Sequence, residues 1–161
     1  GGVRGIFPAG FTLGARNAPH ITVLQRFVRA DDLVEVAAAV EEVIQRWDTA
    51  GLQLTATGFY FHPHEALGLA GITVAPTPAL LEFQAAIIAA VQPFSVPDGT
   101  AFVQNPDGVP ISQSTVENMN AFVSESSGPN YDPHITLGLA EPAFLDSLVA
   151  EPFTPIPFIP V

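Results

Sequence analysis

With 161 residues, 48% of them hydrophobic, the chain is long enough to bury a core of its own and is most simply one domain. Sixteen acidic residues stand against five arginines and no lysine, a formal net charge of -11, which excludes a protein that grips a long polyanion through many phosphate contacts. The absence of cysteine excludes a disulfide framework, a thiolate nucleophile and a cysteine metal site, and no apolar run approaches the ~18 residues of a membrane span. No basic stretch leading into an apolar core opens the sequence, so a cytoplasmic protein is the default expectation, with an exported mature form left open.

In chain order, Phe7 to Asn17 reads as loop and turn, punctuated by Pro8, Gly10 and Gly14. His20 to Val28 predicts a strand that carries His20, Thr22, Leu24 and Arg26 on one face. Asp31 and Asp32 open a helix to about Trp47, their carboxylates at the positive end of its dipole. Leu33, Val36, Ala37, Val40, Val43, Ile44 and Trp47 recur at helical spacing and predict a core-facing stripe. Leu52 to His62 alternates through Gln53, Thr55 and Thr57 as a second long strand, and residues 67–75 make a third, short and apolar. Thr77 followed by Pro78 caps the next helix, whose buried side is Leu80, Leu81, Ile87, Ile88 and Val91 and which Pro93 and Pro97 end.

Beyond it, a strand is expected near Ala101 to Gln104 and a turn at Asn105 to Gly108. Ser114 with Glu117 three residues on forms a capping box for a helix whose apolar side is Val116, Met119, Phe122 and Val123. Ser124 to Pro133 is a polar loop, His134 to Ala140 a strand, and Pro142 to Ala150 a short helix with Phe144, Leu145, Leu148 and Val149 inward. Phe153 to Val161 is extended.

Two of these strands begin with the same letters: Pro-His-Ile-Thr stands at 19–22 and again at 133–136. Each copy is followed by strand, helix and strand, which predicts a duplicated, two-lobed architecture. Within a strand, His and Thr two residues apart emerge on one face while the intervening Ile goes to the other. They are close enough there to reach one tetrahedral anion. Two such strands facing each other would present two imidazoles and two hydroxyls to a single small polar group. An imidazole titrates near neutrality, so one ring can hold a proton while its partner lacks one, the condition for paired acid and base catalysis.

His20-Ile21-Thr22-Val23 and His134-Ile135-Thr136-Leu137 resemble the paired His-x-Thr-x signatures of the two-histidine (2H) phosphoesterase superfamily, in particular its 2'-5' RNA ligase-like members. Leu24-Gln25-Arg26-Phe27-Val28, the helix after it and the stretch from Gly68 to Pro78 extend the likeness over most of the chain. The resemblance implies a bilobal α+β fold in a single domain over residues 1–161, with two mainly antiparallel sheets facing across a central cleft and helices outside. It also implies cyclic phosphodiesterase or related RNA-end chemistry. Members usually carry a strand before the first motif and more chain after the last helix, and against that pattern both ends of this sequence read as trimmed.

The expected function is then a metal-independent, cofactor-free phosphoesterase that hydrolyses a 2',3'-cyclic phosphate, with His20 and His134 as the catalytic pair. By analogy with the family, His134 is the base and His20 the acid. Thr22 and Thr136 are expected to hold the nonbridging oxygens. Arg26 is either a further phosphate contact or an exposed arginine at a strand end, and Tyr131 either stacks on a base or sugar or closes the local core. Trp47 is a stacking platform or, from its place in the stripe, a packing residue. His62-Pro63-His64 beside Glu65 reads as a zinc site or as a plain polar loop, the spacing favouring the loop. The charge balance points to a small nucleotide or a short RNA end as substrate, with no long nucleic acid, no membrane and a monomeric state expected. The competing class is a non-catalytic module holding a nucleotide or phosphate in the same cleft.

Overall fold

The computed structural model describes residues 18–47, 51–64, 66–97 and 112–160. The loop expected over 7–17, the strand near Ala101 to Gln104, the turn at 105–108 and Glu65 of the weighed zinc site lie outside the described residues. Element order is α1 (Leu33–Arg46), β1 (Leu54–His64), β2 (Leu67–Val74), α2 (Pro78–Val91), α3 (Gln113–Glu125), β3 (His134–Ala140), α4 (Pro142–Ala150) and β4 (Ile156–Phe158). This is an α+β architecture. The described residues divide into two compact units, the first formed by those within 18–22, 53–76 and 132–160, the second by those within 23–52 and 77–131.

The first unit is built on an antiparallel sheet of order β3-β2-β1-β4. Where two facing sheets were expected, the described residues form this one, and the first motif joins it by a single bridge from Ile21 to Ile135 at the outer edge of β3. Helix α4 covers one face, burying Leu145 at 1% exposure against Ala70 and Ala140, with Phe61 and Leu148 packed around them. Phe144 and Val149, expected inward, remain 50% and 45% exposed. A nine-residue helix has one narrow stripe to set against the sheet, and Leu145 with Leu148 occupies it.

Two irregularities in the pairing decide which side chains face away from α4. Ala70 pairs with Gly138 but Gly71 with Thr136, so Leu137 is an extra residue on β3. Gly138 has φ 149°, a backbone conformation that residues with a β-carbon rarely adopt. Without that bulge, Thr136 would pair with Ile72 and turn with His134 toward the helix. With it, Ile135 and Ala140 stay on the α4 side while His134 and Thr136 emerge on the other. A second bulge at Thr57 does the same for β1, keeping Ala56 buried opposite Val74 while Gly58 pairs with Thr73.

His62, Pro63 and His64 are not a polar loop; they continue β1 and pair with Leu69, Gly68 and Leu67. The proline is tolerated because β4 pairs with β1 only from Leu54 to Ala56, so among the described residues no strand pairs with the other edge of β1 at Pro63.

In the second unit, Thr77 caps α2 as expected, its Oγ1 accepting from Leu80 N at 3.2 Å. Helix α2 buries Leu80, Ile87 and Val91 and also Gln84, at 1% exposure. The Gln84 Nε2 donates to the carbonyls of Val23 and Ser126, both at 3.2 Å, and its Oε1 accepts from Gly128 N at 3.1 Å. These bonds explain why His20 to Val28 is not a continuous strand. Its backbone partners are taken one at a time: Val23 by Gln84, Phe27 by Val96 N at 2.9 Å, and Val28 in an isolated bridge to Ser95.

Helix α1 packs on α2, with Trp47 and Phe83 tilted at 5.6 Å between ring centroids, which is the packing role expected of that tryptophan. None of its stripe is fully buried, and Leu33 and Ile44 are 55% and 45% exposed. One helical neighbour covers only part of a stripe that wide. The cap of α3 is Ser112, whose Oγ accepts from Thr115 N at 3.2 Å; the helix starts too early for Ser114 to serve.

Candidate active site

The face of the first unit's sheet opposite α4 gathers the polar side chains. The bridge between Ile21 and Ile135 is antiparallel, so both isoleucines point to the helix side and their neighbours point away. Its register sets His20 across from Thr136 and Thr22 across from His134. Both copies of the motif therefore lie side by side, head to tail, with each imidazole next to the other copy's hydroxyl.

The two rings are held in the same way. His20 Nδ1 donates to the Ala18 carbonyl at 2.9 Å, and His134 Nδ1 donates to the Asp132 carbonyl at 2.8 Å. A carbonyl only accepts, so in each ring Nδ1 carries the proton and Nε2 is the atom left for proton transfer. The repeated proline has a part in this. Pro19 and Pro133 fix their own φ and hold Ala18 and Asp132 extended, so the acceptor carbonyl two residues before each histidine has few torsions left to vary. His20 is exposed and His134 half-buried.

Tyr60, which the sequence reading passed over, completes the cluster. It pairs with Gly71, and Gly71 with Thr136, so the three form one row across β1, β2 and β3 on the same face. A β-carbon on Gly71 would lie 2.5 Å from Cε1, Cζ and the hydroxyl oxygen of Tyr60, so the phenol ring lies across the bare glycine backbone. Its ring meets that of His134 edge-on at 5.6 Å and that of His62 at 5.2 Å. Burial and then the Asp132 carboxylate push the phenol above its ordinary pKa, while a hydrogen bond with the Thr136 side chain works the other way. The next row is also polar: Thr73 donates from Oγ1 to the Gly58 carbonyl at 3.2 Å, and its hydroxyl meets that of Thr57 at 3.0 Å. The signal for Tyr60 was present in the alternation, two residues before His62 on one face of a strand, but its partner Thr136 is 76 positions away and only pairing joins them.

The other expected site residues belong to the second unit. Arg26 is half-buried and makes no ion pair among the described residues, whereas Arg29 pairs with Asp32 at 2.7 Å and Arg46 with Glu42. Tyr131 is buried, 6% exposed, and burial pushes its phenol up to about 12. The phosphate contact expected of Arg26 and the stacking expected of Tyr131 rest on sequence alone. Among the described residues no three histidine or acidic side chains converge as a metal would require.

These features define an α+β protein carrying a duplicated His-x-Thr site on one face of an antiparallel sheet. The chain matches the family model described as 2'-5' RNA ligase superfamily over residues 9–158, nearly its whole length, and it belongs to that superfamily, the 2H phosphoesterases. Comparisons with curated proteins and with solved structures found no match.

Proposed function

We propose that this protein is a metal-independent phosphoesterase that opens a 2',3'-cyclic phosphate on a nucleotide or short RNA end. The observation that carries the reading is the matched pair of Nδ1–H bonds, which orients two imidazoles alike in motifs bridged through Ile21 and Ile135. His134 Nε2 takes a proton from water as the water oxygen bonds to phosphorus. His20, protonated, gives its Nε2 proton to the ribose oxygen as the bond from phosphorus to that oxygen breaks. One water is consumed, and a ribose phosphomonoester with a free neighbouring hydroxyl is released. The hydroxyls of Thr22 and Thr136 donate to the nonbridging oxygens, whose charge grows in the transition state. A small substrate suits a chain with five arginines and a net charge of -11, since few cations are needed to hold one phosphate.

The test is turnover of a panel of 2',3'-cyclic nucleotides and short RNAs ending in a cyclic phosphate, with and without chelator. The wild-type protein is expected to release a single monophosphate at a rate the chelator leaves unchanged. His20→Ala and His134→Ala should each lose about 10²–10⁴-fold in rate with the fold retained. Near-normal turnover in either variant refutes the pairing, and strong chelator inhibition refutes metal independence. Tight binding of the panel with no product would identify a binding module instead.

A further inference from the structure

We propose that the row His62, Leu69 and Leu139, bordered by the ring of Tyr60, is the nucleoside subsite of this face and holds the substrate by the plane of its base. The inference rests on the phosphoesterase reading and deepens it by fixing which way the substrate lies across the sheet.

The pairing registers arrange the face in successive rows. Thr73 pairs with His134, Gly71 with Thr136 and Leu69 with Leu139, while β1 sets Gly58, Tyr60 and His62 opposite those same β2 residues. Neighbouring rows on one face of a sheet lie roughly 6.5 Å apart along the strands. His134 therefore stands in the first row, His20, across from Thr136, in the second, and His62 in the third. In-line displacement puts the attacking water and the departing ribose oxygen at opposite ends of the phosphorus. With His134 serving the water and His20 the ribose oxygen, the line from nucleophile to leaving group runs from the first row to the second. The ribose and its base then extend over the third.

The chemistry of that row suits a base. Leu69 and Leu139 are half-buried and His62 is exposed. The ring of Tyr60 neighbours two imidazoles, that of His134 at 5.6 Å and that of His62 at 5.2 Å, so aromatic surface continues from the first row to the third. Rings and hydrocarbon take up the flat face of a nucleobase by stacking and contact, whereas leucines read none of its hydrogen-bonding edge. The first row is bordered differently. There the Thr73 hydroxyl meets that of Thr57 at 3.0 Å and donates to the Gly58 carbonyl, a border suited to water. The subsite thus accepts purines and pyrimidines alike and favours purines through their larger stacking area.

The experiment compares wild type, His62→Ala and His62→Phe on 2',3'-cyclic AMP and on methyl riboside 2',3'-cyclic phosphate, which has no base, and measures binding of adenosine 2'-monophosphate by calorimetry. Wild type is expected to show a KM about tenfold lower for the adenosine compound than for the base-free one. His62→Ala should raise KM for 2',3'-cyclic AMP about tenfold with kcat changed less than about twofold, and leave the base-free compound unaffected. His62→Phe, which keeps a planar ring and carries no proton, should restore the wild-type KM. Thermal midpoints close to wild type exclude a folding effect. Wild-type protein that does not distinguish the two compounds, or a His62→Ala protein that keeps its KM for 2',3'-cyclic AMP or loses equally on both, overturns the inference while leaving the phosphoesterase reading intact. If the monophosphate binds about tenfold more weakly to His62→Ala yet no cyclic phosphate is turned over by wild type, the subsite stands and the catalytic reading falls. Neither turnover nor binding overturns both.

Discussion

Replacing Gln84 by Met removes three hydrogen bonds while nearly conserving side-chain length. The amide is 1% exposed, and its partners are the Val23 and Ser126 carbonyls at 3.2 Å and the Gly128 N–H at 3.1 Å. Each bond is worth about 1 kcal/mol net, and a partner left buried without a replacement costs about 1–3 kcal/mol. Methionine recovers some apolar contact, so the expected destabilisation is about 3–5 kcal/mol, a large share of the ~5–15 kcal/mol that holds a typical domain folded. For a chain of this size that corresponds to a fall in Tm of about 10–15 °C. Urea unfolding followed by circular dichroism measures it, with Gln92→Met, at the exposed glutamine that directly follows Val91 at the end of α2, as a control expected to move by less than about 0.5 kcal/mol. A Gln84→Met protein within about 1 kcal/mol of wild type would show that these bonds are readily replaced, and the account of why residues 23–28 leave regular pairing would fail with it.

Tyr131 predicts an alkaline limit to stability. Its folded pKa of about 12 lies above the ordinary value of 10.0, so between these pH values the unfolded chain releases a proton that the folded chain retains. The contribution of Tyr131 to stability should therefore fall by about 2–3 kcal/mol between pH 10 and pH 12, and Tyr131→Phe should reduce the alkaline decline by that amount in urea titrations across the range, leaving the share of Tyr60, whose phenol is also raised. Gly138→Ala places a β-carbon at φ 149°, which should cost about 1–3 kcal/mol and, by relaxing the bulge, reduce turnover through misdirected His134 and Thr136; an alanine variant of full stability and rate would refute the role given to the bulge. Because one imidazole acts as base and the other as acid, the rate should follow a bell-shaped pH profile around neutrality in a steady-state assay, and a flat profile counts against paired proton transfer.

Much of the fold was legible. Strand β3 and helix α4 begin and end where alternation, Pro142 and the apolar spacing place them, and the Thr77-Pro78 cap opens α2 as read. The readings that failed share a cause. Residues 20–28 alternate like a strand, yet no continuous neighbouring strand pairs with them among the described residues, and a buried glutamine from α2 takes one of their carbonyls. Leu33, Ile44, Phe144 and Val149 have core-like spacing but lie exposed, because a hydrophobic stripe records what a helix is able to bury and not how wide its neighbour is. His62 and His64 looked like loop because Pro63 stands between them, and an edge of β1 that no strand among the described residues pairs there admits that proline.

The amino-acid sequence by itself determined the two copies of Pro-His-Ile-Thr, the membership that follows from them and, through each proline, the local geometry that ties a histidine ring to the carbonyl two residues earlier. Those are short-range properties, fixed by a few torsions within one segment. Only the tertiary structure decided that the copies lie head to tail against one another, that a bulge at Leu137 turns His134 and Thr136 away from the helix, and that Tyr60 reaches Thr136 over a bare glycine. Strand register and bulges arise from hydrogen bonds between residues far apart in the chain, and a shift of one position reverses every face without changing any local preference.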